Sequence, residues 1–484
     1  MPPSPAEGTD GSKTWKAAHL FEESDAERWP KIHQHLNQNE FRAAITTAFE
    51  LPPGDSFTYH ASASVNLAQV EAAIHAGRAN GLHAWYIERI DDQPAGNGQL
   101  ASDATSPNND TPNSNDDRRI PGQPSLRIVG YPPPNDIQAY ISLFDPTKSA
   151  ANSLKSLGAN AKKDSIRASV ADYLLSKRYL DKSIVVPKYK LQASTTVPPQ
   201  SPNIDPSGNL NNNNNDSAAG RSSASSSTTS SAGHPNPALD FWAYACHALE
   251  YAGPNKNTAL VRSAHHMLPV YMHHFGCVVP SWEALQVVAK LAQQHHKSTF
   301  ASFQSGSRSG ASASLAGGGS GAVLDMGSGN GYWTLMLRRL NANLDVIAVD
   351  SGQSRWRTTW IPDTVVADGI QYLRKRSGCP DRVLLLVYPI VGGEFTRKVL
   401  DAYTGGVVCV AGTQNGNGYT GFKDMMIDEY MARHRPDWEK VCQIPLPSYA
   451  GKDDALFAFR RKSDEKAACL SSSLVERVGG AKEE

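Results

Sequence analysis

Apolar and polar positions divide the chain into three patterned stretches separated by polar tracts. From 322 to 462, short apolar runs at 322–326, 345–349, 364–367, 382–387 and 406–411 alternate with helical or irregular spacing. Runs of that length, apolar at nearly every position, predict a parallel sheet covered on both faces. The last two runs, "WEKVCQIPL" and "DALFAFRRK", are joined by "PSYAGKD" with no helix between them. They predict an antiparallel hairpin closing the sheet. Residues 238–304 read as helical throughout, as a brace or lid, and Ser281 ahead of Glu283, Leu285, Val288 and Leu291 marks a helix start. Residues 14–192 read as a small α+β region. It has helical spacing in "NEFRAAITTAFEL", "NLAQVEAAIHAGRANG", "NDIQAYISLF" and "SIRASVADYLLSKRYL", and strands in "HAWYIERI" and "SLRIVGY".

The polar tracts change the picture of domain organisation. Residues 93–125, 193–237 and 305–321 are rich in Ser, Asn, Gly and Pro. Such compositions bury too little apolar surface to offset chain entropy, so they are expected to be disordered and to offer segments for protein partners. The first tract separates two strands, which suits an insertion in one hairpin as well as a domain boundary. The tail at 463–484 is polar and expected to fray.

Lysine plus arginine equals aspartate plus glutamate, 47 against 47, which gives no nucleic-acid footprint and no attraction to anionic membrane. Six cysteines lie scattered without paired spacing, as reduced intracellular thiols do. The start of the chain lacks a signal pattern and no apolar run reaches membrane-spanning length. The expectation is an intracellular protein, cytoplasmic or nuclear. Histidine doublets at 265–266, 273–274 and 295–296 have no carboxylate or cysteine at tight ligand spacing, so no metal is expected. "RWRTTW" at 355–360 has tryptophans suited to stacking a base or to packing a helix on the sheet.

The candidate chemistry gathers at "VLDMGSGNGYW", where an apolar run ends in an acid and three alternating glycines before a helical pattern. Gly327, Gly329 and Gly331 tolerate left-handed angles and leave bare backbone at a strand-to-helix corner. The helix that follows turns unpaired N–H groups toward whatever lies over the loop. The spacing G-x-G-x-G, with Asp325 two positions ahead, suits a ligand bearing an ammonium group better than a pyrophosphate. Asp350 ends the next apolar run nineteen residues after Gly331, at a distance suited to ribose hydroxyls. Asp368 and Gly369 follow the third run. Asp368 there is either a helix N-cap or an acceptor for an exocyclic amine.

In these residues the chain resembles the class I methyltransferases that use S-adenosylmethionine. "LDMGSGNG" is similar to their glycine-rich motif, "VIAVD" to their ribose-binding acid and "VADG" to their adenine-contacting acid. The closing hairpin is similar to their last two strands. The resemblance covers about 322–462 and implies a Rossmann-like α/β fold with S-adenosylmethionine as cofactor. It implies that Asp325 or nearby backbone holds the methionine amine and that Gly327, Ser328, Gly329, Asn330 and Gly331 line its backbone. Asp350 would take the ribose, and Asp368 with Gly369 the adenine.

The fourth strand departs from the pattern. Nitrogen-methylating families often have an acid, asparagine or serine there, followed by two prolines and an aromatic, whereas this chain has Tyr388-Pro389-Ile390. Tyr388 is the one catalytic candidate, either lining the acceptor pocket or capping the cofactor. Glu394 stands nearby, and Gln414, Asn415 and Tyr419 are placed to reach a substrate. The expected activity is methyl transfer to an unknown acceptor. Two alternatives stand beside it: a domain that keeps the pocket without turnover and serves as a binding module, and a nicotinamide-dependent oxidoreductase.

Overall fold

The computed structural model describes residues 7–21, 27–61, 63–90, 119–120, 123–187, 236–306, 321–340, 343–353, 355–392, 394–416 and 420–462. Most of the three polar tracts and the whole tail, which were expected to be disordered, lie outside these residues.

An eight-stranded sheet organises the chain. Its strands are β1 (Tyr179–Leu180), β2 (Gly321–Met326), β3 (Leu344–Asp350), β4 (Val365–Val366), β5 (Val383–Val387), β6 (Val407–Thr413), β7 (Trp438–Pro445) and β8 (Asp454–Arg461). They lie in the order β4-β3-β2-β5-β6-β8-β7-β1. The five from β2 to β6 are parallel. β8 inserts antiparallel between β6 and β7, as the missing helix between the last two runs predicts. β1 adds a short antiparallel edge where the sequence reads as helix, because that helix stops at Lys177.

Period-2 alternation splits the sheet side chains between two layers. Val323, Leu385, Cys409 and Ala458 face one core, and Leu324, Leu384, Leu386, Val408 and Phe457 face the other. Both faces are therefore dry, which is why the strands read as unbroken apolar runs. Seven helices are labelled along the second half of the chain: α1 (Pro237–Ala248), α2 (Met267–Phe275), α3 (Trp282–Gly306), α4 (Tyr332–Leu340), α5 (Gly369–Arg374), α6 (Phe395–Ala402) and α7 (Ile427–His434). Residues of α5, α6 and α7 fill the second core, while those of α1 to α4 join the first. Ser281 caps α3 through its hydroxyl, 3.2 Å from the Ala284 amide.

The stretch from 238 to 304 is not helical throughout. Between α1 and α2 the chain runs mostly irregular, apart from one short 3₁₀ turn, and passes Gly253 at φ 105°. A Cβ there would stand 2.7 Å from the Tyr140 ring, so the backbone abuts the first region at that point.

The first region shares a core with the sheet. Trp15, Phe49 and Tyr59 belong to the same buried cluster as Val323 and Leu385. Ile87–Arg89 pairs antiparallel with Gln123–Ile128, so the first polar tract is an insertion between paired strands. Near the start, Gly8–Thr9 pairs with Thr358–Thr359. Beside this pairing the buried Arg357 ion-pairs with Asp55 at 2.5 Å and lies 4.2 Å from the Phe57 ring centroid. Removing one partner of a buried pair leaves the other charge stranded. Arg357→Ala is therefore expected to lower folding stability by about 3 kcal/mol, read as an earlier midpoint in urea unfolding. A loss within experimental error would mean that Asp55 finds solvent without the arginine.

Candidate functional site

The C-terminal ends of β2, β3, β4 and β5 open into one cavity of about 530 Å³. This is where an open parallel sheet binds its ligand. Of the residues singled out from the sequence, nine line it: Gly327, Ser328, Gly329, Asn330, Asp350, Asp368, Gly369, Tyr388 and Pro389. Asp325 and Gly331 stand behind the wall. Glu394 is ion-paired with Arg397 at 2.6 Å on the surface, at the start of α6.

All three glycines of the corner have positive φ, 74° at Gly327, 57° at Gly329 and 80° at Gly331. Their bareness serves different neighbours. A Cβ on Gly331 would strike Ile361 at 2.5 Å, so the last glycine is a packing requirement of the protein itself. On Gly329 it would meet the Trp356 indole at 2.9 Å, and on Gly327 nothing nearer than the Phe395 ring at 3.9 Å. The bend faces the cavity at Gly327 and Ser328, with the Trp356 indole against Gly329 as a side wall.

Asp350 holds the loop in shape. Its Oδ2 accepts from the Gly329 amide at 3.0 Å and its Oδ1 from the Gly352 amide at 2.7 Å. A carboxylate has about four lone-pair sites, so two oxygens with one backbone donor each keep capacity for ligand hydroxyls. Asp368 is the N-cap of α5, its Oδ1 2.8 Å from the Gln371 amide, and it lines the cavity as well. Both readings of that residue left open by the sequence are compatible with this placement.

Asp325 takes a different position. Its carboxyl is fully buried beneath the loop, and its Oδ2 accepts from the Thr334 hydroxyl on α4 at 2.6 Å. Burial raises its pKa most and the Thr334 bond opposes that. The neighbouring Asp350 charge adds to the rise, leaving the group at about 7. Asp325 Oδ1, Ser328 Oγ and Trp356 Nε1 are buried without a hydrogen-bond partner among the described residues. Unspent polar atoms around one bend point to a ligand or ordered water that completes them.

Residues remote in sequence finish the wall. Met272 and Phe275 come from α2, Gly276 and Cys277 from the turn after it, and Trp333 and Phe395 from α4 and α6. Asn330 Nδ2 donates to the His274 carbonyl at 3.2 Å and so ties the loop to α2. The "RWRTTW" tryptophans sit in an irregular segment with one short strand, not a helix: Trp356 lines the cavity, and Trp360 is buried in the core below. No periodicity marks such a segment. Only the pairing of aromatics with arginines drew attention to it.

The loop after β6 turns inward. Gln414 Nε2 and Asn415 Nδ2 bond the buried Asp453 at 2.8 and 3.3 Å, and neither residue lines the cavity. Tyr419 lies outside the described residues. The histidines brace the fold: His274 bonds Tyr59 at 2.9 Å and Thr358 at 2.7 Å, and its deep burial holds its pKa well below the ordinary value. Among the described residues no three His, Cys, Asp or Glu side chains converge as a metal site would require. No helix among them is long and apolar enough to cross a membrane.

The placement of Asp325 makes stability depend on pH. The folded state keeps a proton on this carboxyl between its ordinary 3.8 and about 7, where the unfolded chain has lost it. Its contribution to stability therefore declines as pH rises through that window and is level above it. Asp325→Asn is expected to remove this decline. Relative to wild type, the variant should gain on the order of 1 kcal/mol per pH unit across the window. Urea unfolding at pH 4.5 and 7.5 measures it, and parallel pH profiles would show that Asp325 titrates normally.

Compared with known proteins, the chain matches no family model, and no curated sequence is significantly similar to it.

Proposed function

We propose that the chain binds S-adenosylmethionine in this cavity and transfers its methyl group to an acceptor. The observation that carries the reading is the convergence of the Gly327–Asn330 bend, Asp350 and Asp368 at successive strand ends around one cavity. The topology supports it too. Dinucleotide-binding sheets of the 3-2-1-4-5-6 order continue in parallel, whereas here the strand after β6 in space is antiparallel. That insertion, together with the G-x-G-x-G spacing, weighs against a nicotinamide cofactor.

The residues fit the group. The volume falls within the range of about 300–1,000 Å³ common to small-ligand sites, and the lining joins apolar walls to a few polar atoms. Asp350 would hold the ribose diol and Asp368 the adenine amine. The bare backbone at Gly327 and the free Ser328 hydroxyl would hold the methionine moiety, with Phe275, Trp333 and Trp356 covering it. When bound, a sulfonium supplies an activated methyl group, so the protein's own work is alignment and exclusion of water. The loop is suited to that work because Asp350 and Asn330 fix it from opposite sides. Substitution of the fourth-strand motif by Tyr388-Pro389-Ile390 favours a second reading, a binding module that keeps the pocket without turnover.

S-adenosylhomocysteine is expected to bind the full chain and NADH is not. Asp350→Ala should weaken the former by on the order of 1–3 kcal/mol, through lost charge-assisted bonds and a loosened Gly329. Titration calorimetry reads both. No heat at millimolar S-adenosylhomocysteine ends the methyl-transfer reading. Binding with no methylated product from a broad acceptor panel selects the module.

A further inference from the structure

At the β5 end of the cavity Tyr388 is held in an unusual way. It has φ 50°, a left-handed backbone that costs a bulky residue energy, and its amide is fixed by the Ala411 carbonyl at 2.7 Å. Behind the ring stands Lys452, from the loop between β7 and β8, with its Nζ 4.1 Å from the ring centroid and within reach of the phenol oxygen. The same ammonium donates to the Cys277 carbonyl at 3.1 Å and faces the fully buried Asp454 carboxylate at 3.5 Å. Lys452 pulls the Tyr388 phenol pKa down most. Burial and the Asp454 charge outweigh it, so the phenol stays protonated.

A hydrogen-bonding direction follows. An ammonium only donates, so wherever Lys452 meets the phenol it meets the oxygen, and the phenolic hydrogen is left to point elsewhere. Tyr388 lines the cavity, and among the described residues that hydrogen meets no acceptor. Next to it Ile390 and Val391 also line the cavity and are 65% and 40% exposed, among the few large apolar side chains left in water. The entrance thus joins an apolar lip to a phenol donor backed by a cation.

We propose that the methyl acceptor is a carboxylate with an apolar body, one oxygen held by the Tyr388 hydroxyl and the body lying on Ile390 and Val391. This rests on the methyl-donor reading. The free carboxylate oxygen forms a bond to the methyl carbon as the carbon–sulfur bond breaks, and that bond's electron pair stays on sulfur. Anion and sulfonium become a neutral ester and a neutral thioether. No proton moves, so a protonated tyrosine suffices where a general base would otherwise be needed. An ammonium-bearing acceptor would meet an outward donor where it needs an acceptor. Lys452 is a positioning residue, acting through Tyr388.

The test is a titration of the full chain, saturated with S-adenosylhomocysteine, with benzoate, benzyl alcohol and benzylamine. Benzoate is expected to bind and the other two at least tenfold more weakly. Tyr388→Phe, which keeps the ring, should weaken benzoate at least fivefold while S-adenosylhomocysteine affinity stays within twofold. Lys452→Met strands Asp454, so Lys452→Met/Asp454→Asn is the paired control, and it should weaken benzoate at least fivefold as well. Equal binding of benzylamine, indifference of benzoate to Tyr388→Phe, or no benzoate binding to the saturated protein overturns the carboxylate assignment alone. Failure to bind S-adenosylhomocysteine removes the methyl-donor reading and the assignment with it.

Discussion

One backbone carbonyl, that of His274 at the end of α2, fixes the geometry on which the cavity depends. It accepts from Asn330 Nδ2 on the glycine bend and from Trp360 Nε1 in the segment after β3, at 3.2 and 2.5 Å. The Trp360 amide in turn donates to the Asn330 carbonyl at 2.9 Å. Three chain segments that would otherwise move separately are thereby made one wall. The histidine ring is buried and bonded at both nitrogens, to Tyr59 and Thr358, and stacked on Phe49 at 3.9 Å. The first region of the chain therefore acts at a distance. None of its described residues lines the cavity, yet Phe49, packed on His274 and Phe275, holds the helix end that holds the bend. Preorganisation of this kind keeps a loop rich in glycine from costing entropy each time a ligand binds.

The carboxylates around the bend divide their duties by solvation. Asp350 keeps both oxygens on backbone amides at the cavity edge, where an ionised group is well served by N–H donors. Asp325, two positions before the first glycine, is sealed below and has one hydroxyl for company. Burial there favours the neutral acid, which can itself donate a hydrogen bond upward. An acid at that position thus braces the bend from beneath, through the Thr334 hydroxyl.

The parallel strands were legible because dry faces on both sides leave unbroken apolar runs, and the closing hairpin because no helix fits between "WEKVCQIPL" and "DALFAFRRK". The three strand-end groups were legible for a related reason, since acids and glycines interrupt apolar runs only where backbone must turn. What escaped was set by tertiary contact. Tyr179–Leu180 continues a helical pattern yet pairs with β7, because an open sheet edge outbids two residues of helix. The irregular stretch between α1 and α2 has helical composition but must pass Tyr140 and Val170 at Gly253. Gly331 looked like part of a ligand cradle and instead admits Ile361. Sequence cannot distinguish bareness needed for a ligand from bareness needed for a neighbour thirty residues along the chain, because both demand the same missing Cβ.

The Tyr388 end of the cavity was the least readable, and the reason is connectivity. Tyr388 directly follows β5, whereas Lys452 and Asp454 belong to the hairpin and Cys277 to the turn after α2. They meet only because β8 enters antiparallel beside β6, which brings the β7–β8 loop back to the C-terminal ends of the parallel strands. A parallel strand in that place would start its loop at the opposite edge and leave Tyr388 with no cation behind it. The inverted strand thus does more than close the sheet. It delivers a buried charge to the side of the cavity that the glycine bend does not reach, and so it separates the groups that would hold a nucleoside from those that would choose its partner.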